Sequence, residues 1–507
     1  MPTRAQLKAK WFIDVTAPPG SFPPPARLPG SVVQPSTDDN VVTPLLDGQN
    51  FMARWYDSIQ QMVLDQPATC DVWLGGWRFE GVDTLGTSDP TSNALEVLSR
   101  ARTAGVTIYG LLSNHLPAMM FNLPSILWLG NNGITNVMFD NRFPPPGSGH
   151  QKFTCMRKPS NPHCLLGSID ISKTRWDTQK HLATDPNRDP DFGKPTHDTG
   201  VMVQGPAAAD LEVTFKERWN DPTYLTLDRH IKQVKVPANI TAPISAPPAA
   251  GTHSVQVLRT YARNVVSAWK YTWSDVGEFT VWASYLNALA KASQYIFIED
   301  QYFLPGGWPA YCKSSTSSRA RDTDLIYQLG EAIKRGVKVL VLTPSNAEDH
   351  THMFQKFQRD VGIEYLMSVA AAATSGGDFV VASLTNGTTP VYIHSKLMIV
   401  DDEFVLVGSA NVCRRSMTFD SELQVGIVDE AGLFAKKFRT GLWEEHLSWP
   451  PGSADNVNFT YQAFKLASTT TPTGHVEPYP FDSPTTTPPG HAVAITKFID
   501  PYAGPPL

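Results

Sequence analysis

His394 and Lys396, one residue apart in VYIHSKLMIVDDEFVLVGSAN, offer an imidazole and an ammonium from one short segment. β-Branched and apolar runs flank an Asp-Asp turn there, a pattern that predicts a β-hairpin. Alternate strand residues share a face, so His394 and Lys396 point together while Ser395 points away. Asp401 falls at the turn, and Gly408-Ser409-Ala410-Asn411 ends the second strand with a hydroxyl and an amide. This set suits a phosphate anion under attack. An imidazole can attack phosphorus or move a proton, and an ammonium balances the charge that grows on the non-bridging oxygens.

The set occurs twice. His150-Gln151-Lys152 opens HQKFTCMRKPSNPHCLLGSIDI, which again runs from a strand to Gly167-Ser168-Ile169-Asp170. LEVLSRARTAGVTIYGLLSN (95–114) matches DLIYQLGEAIKRGVKVLVLTPSN (324–346): a helical pattern, then Gly-Val, a buried strand and Ser-Asn. A helix and a strand precede each copy. The offset, about 230–245 residues, is too long for a solenoid repeat and implies two homologous lobes. Strand and helix alternate, so each lobe is expected to be α/β, a mixed sheet flanked by helices, the two packed as one unit with pseudo-twofold symmetry.

Two histidines and two lysines answer the two difficulties of cleaving a phosphodiester. One neutral imidazole forms a covalent phosphohistidine, and the other, protonated, supplies the leaving oxygen with a proton; the second then activates water or an alcohol. Their protonation states must differ at one pH, so their surroundings must differ. The lysines supply the positive charge, and the sequence carries no H-x-x-x-H pair or evident acidic ligand cluster, so neither a metal nor another cofactor is expected.

These segments resemble the phospholipase D superfamily, and within it the eukaryotic-type lipases. The resemblance rests on HQK (150–152), GSIDISKTRWDTQKH (167–181), THDTGVMVQGPA (196–207), IEDQYF (298–303), HSKLMIVD (394–401) and NVCRRSMTFDSELQVGIVD (411–429). It spans about 50 to 430 and departs from the family at two points: Arg157 stands where the first motif has Asp, and Gly167-Ser168 replaces Gly-Gly. The resemblance implies that His150 attacks and His394 serves as acid and base. It also implies that Asp198 and Glu422 hold the second ring nitrogen of the imidazoles, a contact that fixes tautomer and orientation. Ser168, Ser409 and Asn411 are expected to contact phosphate or brace the lysines, and Asp170 to brace its neighbours. Asp401 joins this shell, with a structural role at the turn favoured; if so, Arg157 need not abolish the chemistry. His181, His197, His350 and His352 receive no role beyond a surface or supporting one.

The resemblance further implies a phospholipase D acting on phosphatidylcholine-type lipids, with transfer to an alcohol as a second outcome. A nuclease, a phosphatidyltransferase of the cardiolipin-synthase kind, or a non-catalytic lipid binder on the same scaffold are the alternatives. The expected partner is a phospholipid at a membrane or micelle surface. Nucleic acid is not expected, because KQVKVP (232–237) is too short to make a basic strip. Apolar segments at 114–130 and 303–312 follow core strands and are candidates for an acyl-chain rim, although an ordinary buried helix is the favoured account of the first.

The composition, 41% hydrophobic and 18% charged, is that of a globular chain, and the net charge of −6 leaves any pull on an anion to the site itself. Five scattered cysteines without a C-x-x-C predict free buried thiols. Neither a signal-peptide core nor a run of about 18 apolar residues is evident. The expected organisation is a Pro-rich arm (1–44), a first lobe (45–235), a linker (236–252), a second lobe (253–448) and a Pro/Thr-rich tail (449–507) in a monomer. The arm is too short for the lipid-targeting domain that many eukaryotic-type relatives carry.

Overall fold

Gly-Val, repeated in both halves, is where two helices stop. Gly105 and Gly336 hold φ of 118° and 101°, a left-handed conformation that costs glycine nothing. The following valines donate back to Ala101 and Ala332 at 3.0 and 3.1 Å. Asn93 and Asp324 cap the other ends of these helices, accepting from Leu95 and Tyr327. The duplicated pattern therefore encodes a duplicated helix-to-strand corner.

A computed structural model describes residues 2–16, 25–85, 91–140, 142–143, 147–189, 193–222, 238–263, 271–273, 275–305, 321–345, 352–470 and 472–484. The first half comprises α1 (Arg4–Trp11), β1 (Thr37–Leu46), α2 (Asp47–Leu64), β2 (Asp71–Gly76), α3 (Ala94–Ala104), β3 (Thr107–Ser113), α4 (Leu116–Asn131) and β4 (Val137–Asp140). It continues through β5 (Phe153–Arg157), β6 (His163–Gly167), β7 (Thr196–His197), β8 (Thr199–Gln204) and α5 (Ala207–Trp219). The second comprises β9 (His253–Tyr261), β10 (Glu278–Phe279), α6 (Thr280–Lys291), β11 (Tyr295–Asp300), α7 (Leu325–Lys334), β12 (Lys338–Leu342), α8 (His352–Ala372) and β13 (Asp378–Asn386). It ends with β14 (Thr389–Ile393), β15 (Lys396–Val400), β16 (Phe404–Gly408), α9 (Arg414–Thr418), β17 (Glu422–Asp429), α10 (Phe434–Leu447), α11 (Val457–Ala467) and β18 (Val476–Pro478).

The two sheets have the same order and sense. The first runs β4-β3-β2-β5-β6-β8-β1. The second runs β13-β12-β11-β15-β16-β17-β9. In each, three parallel strands meet antiparallel neighbours at β5 and β15, the strands that follow the two His-x-Lys motifs. The early residues of β1 also pair with β9 and join the sheets.

Both faces of these sheets are buried. In β15, Leu397 and Ile399 face one apolar cluster while Met398 and Val400 face another. The first cluster spans both halves, from Trp73, Phe153 and Phe215 to Phe297, Val407 and Trp443, so the lobes share one core. Double coverage explains why the strands read as nearly unbroken apolar runs. The four described cysteines, Cys70, Cys155, Cys164 and Cys413, are free and buried; Cys312 lies outside the described residues. Among the described residues no helix is long and apolar enough to cross a membrane.

Candidate active site

Lys396 starts β15 directly opposite Asp300, the last residue of β11. Lys152 stands just before Phe153, which pairs with Gly75 near the end of β2. Each motif therefore sits at the carboxyl edge of its parallel strands, where open α/β sheets place their ligands.

The edges of the two lobes are tied together at these points. The His150 backbone N–H donates to the Ser421 carbonyl at 2.9 Å, and the His394 N–H to the His197 carbonyl at 2.8 Å. Each imidazole then meets a carboxylate from the opposite lobe. His150 Nδ1 lies 3.0 Å from both Oε1 and Oε2 of Glu422, and His394 Nδ1 lies 2.8 Å from Asp198 Oδ1. A carboxylate only accepts, so Nδ1 carries the proton in both rings and Nε2 is left for chemistry.

The carboxylates are held by a repeated device. Ser168 Oγ donates to Asp198 at 2.5 Å and Ser409 Oγ to Glu422 at 2.6 Å. Each hydroxyl accepts in turn from the backbone N–H one residue beyond its carboxylate, Thr199 or Leu423, at 3.0 Å. The glycine before each serine makes room for this. A Cβ on Gly167 would fall 2.5 Å from Gly200 Cα, and one on Gly408 would fall 2.2 Å from the Leu423 carbonyl oxygen. The Gly-Ser pair is thus a close-approach point followed by a brace.

The lysines also correspond. Lys152 Nζ donates to the His150 carbonyl at 3.1 Å, and Lys396 Nζ donates to the His394 carbonyl. Lys396 adds Gln301 Oε1 at 2.9 Å, whereas Lys152 faces the Trp77 ring at 5.5 Å and Asp170 at 3.5 Å. Trp77 also contacts the His150 ring edge-on at 6.2 Å, and Tyr392 stacks on His394 at 6.3 Å. Asn411 is buried, and neither of its amide atoms makes a hydrogen bond among the described residues.

Burial holds both imidazoles well below the usual histidine range. Lys152 reinforces the effect at His150, and Arg175, Lys396 and Lys152 do so at His394. The crossed pairing of each imidazole with a carboxylate of the other lobe brings both motifs to one seam. Burial also lifts Glu422 to about 7 and Asp198 to about 6, and lowers Lys396 to about 7, with Lys152 and Arg175 adding and Asp198 opposing. Every shift runs toward the uncharged form, as a dry site dictates.

Several expectations change. Ser168 and Ser409 brace the carboxylates rather than the lysines, because the Gly-Ser corner turns each hydroxyl toward Asp198 or Glu422. Asp170 does brace its neighbours, accepting from the Arg78 N–H at 2.9 Å. Asp401 lies away from the cluster, at the far end of β15. It accepts from the backbone N–H groups of Ser293, Gln294 and Tyr295 at 2.8 to 2.9 Å and so fastens the start of β11. Arg157 occupies the equivalent place with opposite charge. It is paired with Asp71 at the start of β2, holds Glu212 at 2.9 Å and stacks over Trp73 at 4.0 Å. Five residue steps along the strand, roughly 16 Å, separate it from Lys152. Replacing Arg157 with Met is therefore expected to cost about 3 kcal/mol of stability, by leaving Glu212 buried without its partner. Phosphodiester turnover by the folded fraction should stay within about twofold, as denaturation and rate measurements on one preparation will show.

Sequence reasoning missed Gln301, Trp77 and Arg175. The first two occupy matching places after β11 and β2, so aligning the repeats would have paired them. Nor did it foresee that His181 and His197 belong to a second buried cluster with Asp47 and Glu445, an acidic ligand cluster after all. His350 and the basic segment 232–237 lie outside the described residues, as do 306–312 of the proposed rim and the tail beyond 484.

Comparison with known proteins places this geometry. A family model described as phospholipase D matches residues 153–338, and one described as a cardiolipin synthase, phospholipase D-like domain matches 285–444. Phospholipase D beta 2 of Arabidopsis thaliana is 24% identical over 386 residues, covering 56% of this chain and 41% of the relative. Phospholipase D alpha 1 of Zea mays is 23% identical over 407 residues, covering 61% and 48%. Phospholipase D A of Dictyostelium discoideum is 28% identical over 308 residues, covering 51% and 21%. The chain thus spans half or less of the length of these curated relatives. The crystal structure of phosphatidylserine synthase from Haemophilus influenzae shares the fold, with a TM-score of 0.51 at 13% identity over 84% of this chain and 93% of that one. Since the two family models together run from residue 153 to 444, more than half of its length, this chain belongs to the phospholipase D superfamily.

Proposed function

We propose that the chain is a phospholipase D that cleaves phosphatidylcholine-type lipids to phosphatidic acid and free head group. The crossed pairing of each imidazole with the opposite lobe's carboxylate carries this reading. His150, whose side chain is 13% exposed against 4% for His394, is the more open ring and takes the nucleophile's part. Its Nε2 attacks phosphorus. The bond to the head-group oxygen breaks, and His394, which takes up a second proton at Nε2 once the substrate's anionic phosphate lies beside it, gives that proton to the oxygen as it leaves. His394 then takes a proton from water, the resulting hydroxide attacks phosphorus, and the bond to His150 breaks. With an alcohol in place of water, the same step transfers the phosphatidyl group. Lys152, Lys396 and the unpaired Asn411 amide face the charge that develops on the non-bridging oxygens.

A lipid substrate is supported by α4. Its Met120 and Leu127, 69% and 49% exposed, stand seven residues apart on one helical face. Asn122 of the same helix donates to the Trp77 carbonyl at 2.8 Å and accepts from the Phe79 N–H at 2.8 Å, so this apolar stripe is tied to the loop beside His150. The purified chain should release choline and phosphatidic acid from short-chain phosphatidylcholine micelles, and give phosphatidylethanol when ethanol is added. His394→Ala should do neither. Cleavage of single-stranded DNA without lipid turnover would sink the proposal, as would tight phosphatidic acid binding with no turnover of lipid.

A further inference from the structure

Next to Asp198, whose N–H is held by Asp47 Oδ1, the residues Asp47, His181, His197 and Glu445 offer one possible ligand atom each, all within 4.8 Å of one another. His197 Nδ1 lies 3.0 Å from Asp47 Oδ1 and 3.4 Å from Glu445 Oε1, and His181 Nε2 lies 3.5 Å from the same Glu445 oxygen. Tetrahedral zinc with bonds of 2.0–2.2 Å sets its ligands about 3.4 Å apart, so three of the six separations already lie close to the edge length of a zinc site.

The hydrogen bonding agrees. Among the described residues, buried His181 Nε2, His197 Nδ1 and Glu445 Oε1 make no hydrogen bond of acceptable geometry, and Asp47, whose Oδ1 accepts from the Asp198 N–H at 3.2 Å, has its buried Oδ2 left over. The neighbouring oxygens do not lie where an N–H on either ring nitrogen would point, which is how ligands of a common ion are arranged. The outer nitrogens behave oppositely. His181 Nδ1 donates to Asp177 at 3.1 Å, and His197 Nε2 donates to Glu299 at 3.1 Å. Asp177 is itself fixed by Arg188 at 2.6 Å, and Glu299 by His446 at 2.7 Å. A carboxylate behind each imidazole is the arrangement that fixes the tautomer and orientation of metal-bound histidines. Asp47 and His181 also hold φ of 60° and 45°, an unfavourable backbone for these residues that the cluster maintains.

We infer that Asp47, His181, His197 and Glu445 bind a divalent cation of the zinc class, which joins the two lobes and positions His394 through Asp198. Two imidazole nitrogens among four ligands favour zinc over calcium or magnesium, which take oxygen. Asp47, His181 and His197 come from the first half and Glu445 from α10 of the second. The His197 carbonyl holds the His394 N–H, and the next residue, Asp198, holds the His394 ring. The cation acts on position and touches no substrate. The inference is independent of the lipid reading: a chain that holds zinc but turns over no lipid supports it and defeats the other.

The test is metal content of the full chain, as purified and after chelator treatment, incubation with ZnCl2 and gel filtration. About one Zn2+ per chain is expected to survive, with a rise in melting temperature on adding ZnCl2 that CaCl2 and MgCl2 do not reproduce. Glu445→Gln should lose the metal and the rise together. In the Co2+-substituted chain, the intense visible bands of tetrahedral cobalt should appear. Less than about one-tenth of an equivalent after ZnCl2, with no change in melting temperature, overturns the inference. So does retention of Ca2+ in place of Zn2+. Both readouts use the unsubstituted chain and stand even if the variant does not fold.

Discussion

His150→Ala and His394→Ala should each lower phosphatidylcholine turnover by about 10⁴-fold or more, for different reasons that a trapping experiment separates. Without His150 no covalent intermediate forms, whatever the leaving group. Without His394 the attack lacks its acid, but a substrate with an activated leaving group, such as a nitrophenyl ester of phosphatidic acid, needs none. His394→Ala quenched with that ester should carry the phosphatidyl mass on the peptide containing residue 150, and His150→Ala should carry none. An adduct on His394 in the His150 variant would reverse the assignment. Glu422 and Asp198 keep their hydrogen bonds from Ser409 and Ser168 when the imidazole is removed, so both variants should fold, and a melting curve of each checks this.

The next largest loss is expected at the carboxylates. Glu422→Gln keeps the shape of the side chain and its contact with Ser409, but its amide can present an N–H to His150 Nδ1. The ring then shifts its proton to Nε2 and cannot attack. A loss of about 10³- to 10⁴-fold in kcat with little change in KM is expected, the scale found where a carboxylate fixes a catalytic tautomer. Asp198→Asn should act likewise on His394. Because each carboxylate belongs to the lobe opposite its histidine, the pairings can be checked by double-mutant cycles. Glu422 should couple to His150 and Asp198 to His394, each weakly with the other partner. Coupling within a lobe instead of across lobes would refute the crossed arrangement.

Much of this site could be read from the chain because its parts are local. An imidazole and an ammonium one residue apart on an apolar strand need no tertiary information to be seen together, and the Gly-Val helix stops make the duplication visible. The exchange of carboxylates could not be read, since Glu422 and His150 are 272 residues apart and no local pattern records which lobe a strand faces. The serines were misread for a related reason: their direction depends on how closely two backbones pass at Gly167 and Gly408, a property of the strand pair. Arg157 departs from the motif at a position expected to be structural, but its partners could not be read from the chain. Where Asp401 fastens β11 through backbone N–H groups, Arg157 fastens β2 through the carboxylates of Asp71 and Glu212. The second cluster escaped notice because its four residues come from separate segments, with Glu445 on the face of an unremarkable amphipathic helix.

Swapped carboxylates have a consequence for how competence is acquired. Neither half contains a finished imidazole–carboxylate unit, so a separately folded lobe holds only unpaired fragments and should have no residual rate. Catalysis begins when the halves dock, and any perturbation that parts them by an ångström or two disarms both histidines at once. Reactivity thereby becomes a direct report of tertiary assembly, and a partly open chain is silent rather than indiscriminately hydrolytic.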